Sequence, residues 1–468
     1  MSLIKSISGI RGIIGGRPGE NLTPVDVVKF TAAYAMFLKK NIKNSKLKVV
    51  VGRDARVSGD MLNSLVTSTL NAMGIDVIDA GLSTTPTVEI AVVESGANGG
   101  IILTASHNPG QWNALKLLDE HGEFLSQIAG EEILVIAENE QFHFSPYNEL
   151  GKTVFEHGFI DLHIQKIISL PMVDAAAIRN AGFVVAVDAV NSTGGLAVPK
   201  LLEELGVERI EKLYCEPTGL FPHNPEPLPE NLTELAKFVV KKRCNIGFAV
   251  DPDVDRLAII NEDGTAFGEE YTLVAVADYI LRTKPGNTVS NLSSTRALME
   301  VTHKAGGNYM ASAVGEVNVV KMMKETNAVI GGEGNGGVIY PEIHYGRDAL
   351  VGIALFLTFM AKTGKKPSQI RQFYPNYFIS KNKITLEPDM NVDQILERMA
   401  LKYSKYKVNR IDGVRIDFEN DWVHLRKSNT EPIVRIYAES NSEAKANHLA
   451  QKMITDIGEI VNSPEVED

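Results

Sequence analysis

Three times in this chain a run of β-branched and small apolar residues stops at an acid: VVVGRD (Val49–Asp54), VVAVDA (Val184–Ala189) and GFAVDPDVD (Gly247–Asp255). Such short apolar runs, separated by segments with helical periodicity, dictate strand–helix–strand units and largely parallel or mixed sheets. A polar residue at the end of a buried strand stands at the edge where open α/β sheets place their ligands. The pattern suggests related α/β units side by side. It also directs attention to what else lies in the turns that follow strands.

A chain of 468 residues exceeds one hydrophobic core and implies roughly three or four domains. The first two-thirds keep the alternation. Thr23 before Pro24 reads as an N-cap opening a helix to about Lys40, and Ser58–Met73 reads as a helix closed by Gly74. Lys365–Lys381 is a basic, aromatic, proline-containing connector. Beyond it KITLEP, GVRIDF, WVHLR and IVRIYAE are strands with flanking helices and no crossover, which is an α+β arrangement. The expected domains are 1–160, 161–260, 261–375 and 376–468. A net charge of −11 opposes general affinity for nucleic acid or anionic membrane, so an anionic small substrate needs a local basic site. LVGIALFLTFMA (Leu350–Ala361) is too short to span a bilayer and suits a buried helix. The N-terminal MSLIKSISGIRG lacks an apolar signal core, and Cys215 and Cys244 read as buried thiols of a reduced compartment, so the expected location is cytoplasmic.

Four loops carry candidate chemistry. In TASHNPG (Thr104–Gly110) a serine, Ser106, ends an apolar strand, and His107 and Lys116 are candidate proton acceptors for it. By itself this loop is equally a turn that ends a strand. DPDVDR (Asp251–Arg256) offers Asp251, Asp253 and Asp255 at alternate positions, which can converge on a hard cation such as Mg²⁺. The competing reading is a solvated acidic turn, against which the interleaved Pro252 and Val254 argue. In GGEGNGGVIYPEIHYGRD (Gly331–Asp348) glycines permit close backbone approach, while Glu333 and Asn335 can hydrogen-bond hydroxyls; from the glycines alone a flexible turn is the competing reading. RKSNTEPIVR (Arg426–Arg435) combines Arg426, Lys427 and Arg435 with the hydroxyls of Ser428 and Thr430, a donor set that matches phosphate.

These four motifs, in this order and spacing, resemble the α-D-phosphohexomutase superfamily over essentially the whole chain; GIRG (Gly9–Gly12) and VGRDARVSG (Val51–Gly59) fit the same pattern. The resemblance implies an α/β protein of four domains around a central cleft, three related mixed-sheet domains plus a C-terminal α+β domain. It implies a phosphoserine at Ser106 whose phosphate shares Mg²⁺ with Asp251, Asp253 and Asp255. Arg11 and Arg256 would neutralise transferring oxygens, and Lys116 with His107 would manage the hydroxyl proton. Glu333 and Asn335 would read the sugar, and Arg426, Ser428, Asn429, Thr430 and Arg435 would hold the remote phosphate. The implied reaction moves a phosphoryl group between the 6- and 1-positions of a hexose through a hexose 1,6-bisphosphate, in a monomer or homodimer.

Departures bear on the substrate. Many relatives place serine and histidine where this chain has Asn335 and Gly337, so a histidine often given a proton-transfer role is missing here. Pro252 replaces the common glycine of the metal loop. AVGEVNV (Ala313–Val319) is closer to the Val-Gly-acid pattern of phosphoglucosamine mutases than to the Gly-His pattern of phosphomannomutase/phosphoglucomutase enzymes. The favoured substrate is therefore glucosamine 6-phosphate, with the glucose and mannose phosphates as the alternative. The rival functions are a sugar phosphatase and a non-catalytic sugar-phosphate sensor.

Overall fold

The computed structural model describes residues 2–6, 9–43, 46–387, 390–427 and 433–462. The chain divides into two compact units, one of residues 1–283 with 335–371, the other of residues 284–334 with 372–468.

The first unit contains two sheets. One has seven strands in the order Ile4–Ser6, Gly9–Ile13, Trp112–Leu118, Gly100–Leu103, Lys48–Arg53, Asp76–Leu82, Thr153–Phe155. Its centre is parallel, and Gly100–Leu103 turns back antiparallel onto Trp112–Leu118. That reversal puts the TASHNPG turn at the carboxyl edge of the parallel strands. The other sheet runs Leu257–Asn261, Ile246–Val250, Val184–Asp188, Arg209–Leu213, parallel except for its first pair. The second and third acid-ended runs, both within the expected domain 161–260, are thus neighbouring parallel strands of one sheet. Side-chain pattern reports a strand's burial, whereas which strand lies beside it depends on long-range pairing.

Local signals explain the helices. Pro24–Asn41 opens at Thr23, whose N–H donates to Asp26 Oδ2 at 3.0 Å. Gly59–Ala72 is followed by Gly74 at φ +75°, where an added Cβ would lie 2.6 Å from Ser145 Oγ. Ala349–Thr363 is buried at every position from Ala349 to Met360, consistent with its near-continuous apolar sequence. Truncating a ring there, as in Phe356→Ala, costs about 3–5 kcal/mol. No described helix is long and apolar enough to cross a membrane.

In the second unit, Tyr309–Ser312, Thr288–Asn291 and Ile330–Glu333 pair in parallel. A separate five-stranded sheet, Phe378–Thr385, Ile433–Ser440, Trp422–Lys427, Val414–Asp417, Lys407–Asn409, is wholly antiparallel. The helices Val392–Lys402 and Glu443–Asn462 cover it with an apolar face that includes Met399, Met453 and Ile457. Cys244 is buried and Cys215 only partly so; burial pushes their thiols up to about 11 and about 12, so both are protonated and unreactive.

Candidate functional site

Ser106 sits at φ +49°, a left-handed conformation that costs a residue with a Cβ about 1–3 kcal/mol. The surrounding turn holds it there. Its N–H donates to Thr104 Oγ1 at 2.9 Å, and Thr104 in turn donates to Asp54 Oδ2 at 2.6 Å. Arg56, fully buried, donates Nε to Asp54 Oδ2 at 3.0 Å. Its two terminal nitrogens reach four carbonyls of the same turn, Ser106 and Asn108 at 2.5 and 2.6 Å, Pro109 and Trp112 at 2.7 and 2.9 Å. The acid that ends the first strand run therefore braces the serine loop from behind.

Held this way, Ser106 Oγ donates to Asp251 Oδ2 at 2.8 Å, and His107 Nδ1 lies 3.4 Å from the same hydroxyl. Asp251 Oδ1 accepts from the N–H groups of Asp255 and Arg256, each at 3.1 Å, which curls the DPDVDR loop. The curl requires Val254 at φ +63°, a genuine outlier for a β-branched residue, and buries it completely. Pro252 contributes its carbonyl, which accepts from Ser192 Oγ at 2.7 Å and Thr193 Oγ1 at 2.8 Å.

Asp251, Asp253 and Asp255 are fully buried, with ligand oxygens all within 4.8 Å of one another. Burial, then repulsion from Asp255 and Asp253, pushes the Asp251 carboxyl well above its ordinary range. Burial acts the same way on Asp253, but the Lys116 ammonium at 2.7 Å overrides it and holds that carboxyl well below the range. Thr85 Oγ1 also donates to Asp253 Oδ2, at 2.7 Å, and Arg347 donates to Asp255 Oδ2 at 2.7 Å. Asp253 Oδ1 and Asp255 Oδ1 are buried and accept no hydrogen bond. Three converging carboxylates with two unsatisfied oxygens form a donor set suited to a hard divalent cation, so the residues present fit Mg²⁺.

The predicted basic groups of this unit gather here as well. Arg11 donates to Asn108 Oδ1 at 3.0 Å, and burial holds its guanidinium below the usual arginine range. Arg256 Nε lies 3.9 Å from Asp255 Oδ1, and its Nη1 donates to Glu226 at 3.3 Å. Burial pulls Lys116 down, yet Asp253 and Asp255 outweigh it and keep the ammonium protonated. Burial, helped by Arg256 and Arg11, pushes the His107 imidazole well below its ordinary value. Behind Arg347, Asp348 caps the buried helix and accepts from His163 Nε2 at 2.8 Å and His344 Nε2 at 3.3 Å. His344 Nδ1 lies 3.1 Å from Glu89.

Residues 331–334 of the GGEGNGG segment belong to the second unit and residues 335–337 to the first. In the first, Asn335 Oδ1 accepts from the Gly337 N–H at 3.2 Å, and Gly336 at φ +86° passes so near Leu257 O that a Cβ would lie 2.4 Å from it. In the second, buried Glu333 accepts from Asn291 Nδ2 at 2.8 Å and from the Gly315 N–H at 3.2 Å through one oxygen. Also in the second unit, Arg426 and Arg435 stand directly opposite each other on adjacent strands, and Lys383 stands opposite Arg435 on its other side. Like charges so placed repel, which a bound anion would relieve. Ser428, Asn429 and Thr430 lie outside the described residues. Sequence reading gave no role to Arg56, Thr104, Thr85, Arg347 or Lys383; Arg56 lies in VGRDARVSG, Thr104 in TASHNPG and Arg347 in the Gly331–Asp348 stretch, whereas Thr85 and Lys383 emerge only from pairing across the fold.

Comparison with known proteins gives a consistent picture. Residues 3–144, 161–264 and 268–377 match the alpha/beta/alpha domains I, II and III of phosphoglucomutase/phosphomannomutase, and 383–455 match its C-terminal domain. A phosphoglucomutase/phosphomannomutase from Thermococcus kodakarensis is 37% identical over 95% of this chain and 96% of its own length. A phosphoglucosamine/phosphogalactosamine mutase from Sulfurisphaera tokodaii is 32% identical over 97% and 98%. The crystal structure of a phosphoglucomutase/phosphomannomutase family protein from Burkholderia thailandensis superposes with a TM-score of 0.85 at 25% identity, covering 99% of each chain. The chain, with four such domains in order, belongs to the phosphoglucomutase/phosphomannomutase family of the α-D-phosphohexomutase superfamily and is a phosphomutase.

Proposed function

We propose that this phosphomutase interconverts a hexose 6-phosphate and the 1-phosphate by way of phosphoserine at Ser106 and a hexose 1,6-bisphosphate, with glucosamine phosphate as its preferred substrate. The observation that carries the reading is the strained Ser106, whose hydroxyl meets a buried cluster of three carboxylates with two unsatisfied oxygens. Asp251, Asp253 and Asp255, with an oxygen on Ser106, would hold Mg²⁺, which when bound supplies neutralisation of the phosphoryl oxygens.

In the forward half-reaction a substrate hydroxyl oxygen bonds to phosphorus as the bond from phosphorus to Ser106 Oγ breaks; the substrate hydroxyl gives its proton to a base, and Ser106 Oγ takes up a proton to become the free hydroxyl. In the return half the other phosphate faces Ser106 and restores the ester. Arg11 and Arg256 would face the transferring oxygens, and a preset array of this kind is most of what a protein contributes to a loose phosphoryl-transfer transition state. Lys116 is engaged with Asp253, so His107, whose Nδ1 lies 3.4 Å from Ser106 Oγ, is the better-placed group to carry the proton between the substrate hydroxyl and Ser106. Arg426 and Arg435, joined by Lys383, would hold the remote phosphate in either orientation of the sugar.

The glucosamine preference is supported by the Val-Gly-acid sequence Val314–Glu316, whose Gly315 N–H donates to Glu333 Oε1. The phosphoglucomutase/phosphomannomutase name of the 37%-identical relative favours the glucose and mannose phosphates as the second reading. Turnover of the 1-phosphates of glucosamine, glucose and mannose, each with a trace of bisphosphate, separates them. A higher kcat/KM for the amino sugar is expected. Release of free phosphate at the rate of substrate loss would replace the mutase reading with hydrolysis.

A further inference from the structure

Within the second unit a short run of contacts joins the phosphate-binding and ring-reading residues. Asp412 Oδ2 lies 2.8 Å from Arg426 Nε and accepts from the Val314 N–H at 2.9 Å. The next peptide N–H, that of Gly315, donates to Glu333 Oε1 at 3.2 Å. One carboxylate and one dipeptide therefore separate the guanidinium from the Glu333 carboxylate.

The turn that carries Asp412 is itself fixed. Its backbone carbonyl accepts from His424 Nε2 at 2.6 Å, which makes His424 Nδ1 the acceptor for the Ser293 hydroxyl at 2.8 Å. Gly413 at φ +69° lies so close to Leu425 O that a Cβ would sit 2.2 Å from it. Asp412 thus cannot drift without moving the strand that bears Arg426. Its charge also engages Arg426 through Nε.

We propose that Asp412 is a positioning residue that fixes the spacing between the phosphate-binding guanidinium of Arg426 and the ring-reading carboxylate of Glu333, through the Val314–Gly315 peptide. This rests on the cradle and sugar-reader roles proposed above. A mutase must accept its sugar in two orientations with one cradle and one ring reader, so the distance between those two has to be preset and not adjusted by each ligand.

The test measures kcat and KM for whichever hexose 1-phosphate turns over fastest, with Asp412→Ala, Asp412→Asn, Arg426→Ala and Glu333→Gln, and the Asp412→Ala/Glu333→Gln double variant. Asp412→Ala should raise KM about tenfold with a much smaller change in kcat, and Glu333→Gln should then cost about fivefold less than in the wild type. Asp412→Asn, which keeps an acceptor for the Val314 N–H, should recover most of the lost affinity. Thermal midpoints should stay close to wild type. If Asp412→Ala does not accumulate folded, Asp412→Ser, one atom shorter than aspartate, serves in its place. An unchanged KM for Asp412→Ala beside a raised KM for Arg426→Ala overturns the spacing role alone. A strictly additive double variant also overturns it. An unchanged KM for Arg426→Ala overturns the cradle reading and this inference with it.

Discussion

Arg56→Lys should disable the enzyme while leaving most of the fold in place. The guanidinium serves five acceptors, Asp54 and the carbonyls of Ser106, Asn108, Pro109 and Trp112, in a site where neither it nor Asp54 is exposed. Lysine keeps the charge but has only three N–H donors, so at least two of those acceptors lose their partner. A buried acceptor left unpaired costs about 1–3 kcal/mol, which puts the total near 2–6 kcal/mol. That is enough to release a serine whose left-handed backbone itself costs about 1–3 kcal/mol. Once Ser106 relaxes, its hydroxyl leaves Asp251, and misplacement of a reacting atom by about 1 Å can cost about a hundredfold in rate. The assay is kcat at saturating substrate and metal, with hydrogen exchange of the amides from 104 to 112. A kcat loss of about a hundredfold with faster exchange confined to that turn is expected. A kcat within about threefold of wild type would refute the argument that this strain is held from behind.

Two further outcomes follow from the same electrostatics. Asp253→Asn removes a charge from the three-carboxylate cluster and leaves Lys116 partly uncompensated; the half-saturating Mg²⁺ concentration should rise at least about tenfold and excess metal should partly restore rate, whereas an unchanged metal requirement contradicts the metal-loop reading. His344 is pushed up to about 10, because its contacts with Asp348 and Glu89 outweigh burial. Raised above the ordinary 6.5, it contributes stability in full below pH 6.5 and loses it as pH rises through about 10, an amount of up to about 5 kcal/mol. The thermal midpoints of wild type and His344→Gln should therefore differ most below pH 6.5 and converge towards pH 10, and a gap that does not change with pH would contradict the imidazolium bridge.

How far the sequence alone reaches follows from what each kind of residue encodes. The helix beginning at Pro24 and the buried helix at 349–363 announce themselves through a proline at the first helical position and an apolar run bounded by Asp348 and Gly364. The mixed sheets follow from strand and helix alternation, but the neighbours of each strand do not. Ser106 and the three aspartates are visible because their chemistry is local to a loop. Arg56, Thr85 and Arg347 are not, since each reaches the site from 50 to 168 positions away along the chain. Lys383 is hidden for another reason: only the register of an antiparallel sheet sets it beside Arg435. Acid-ended strands proved ambiguous, because Asp54 braces a loop and Asp188 accepts from His223 at 3.1 Å, while Asp251 alone faces the serine.

The central claim is that Ser106 carries the phosphoryl group between the two half-reactions. Incubating the protein with Mg²⁺ and isotopically labelled hexose 1,6-bisphosphate, then mapping the label by peptide mass spectrometry, tests it directly. The account predicts stoichiometric label on Ser106, discharged to product on adding unlabelled hexose monophosphate, and neither label nor turnover in Ser106→Ala. Label on another residue, or turnover by Ser106→Ala at the wild-type rate, would contradict it.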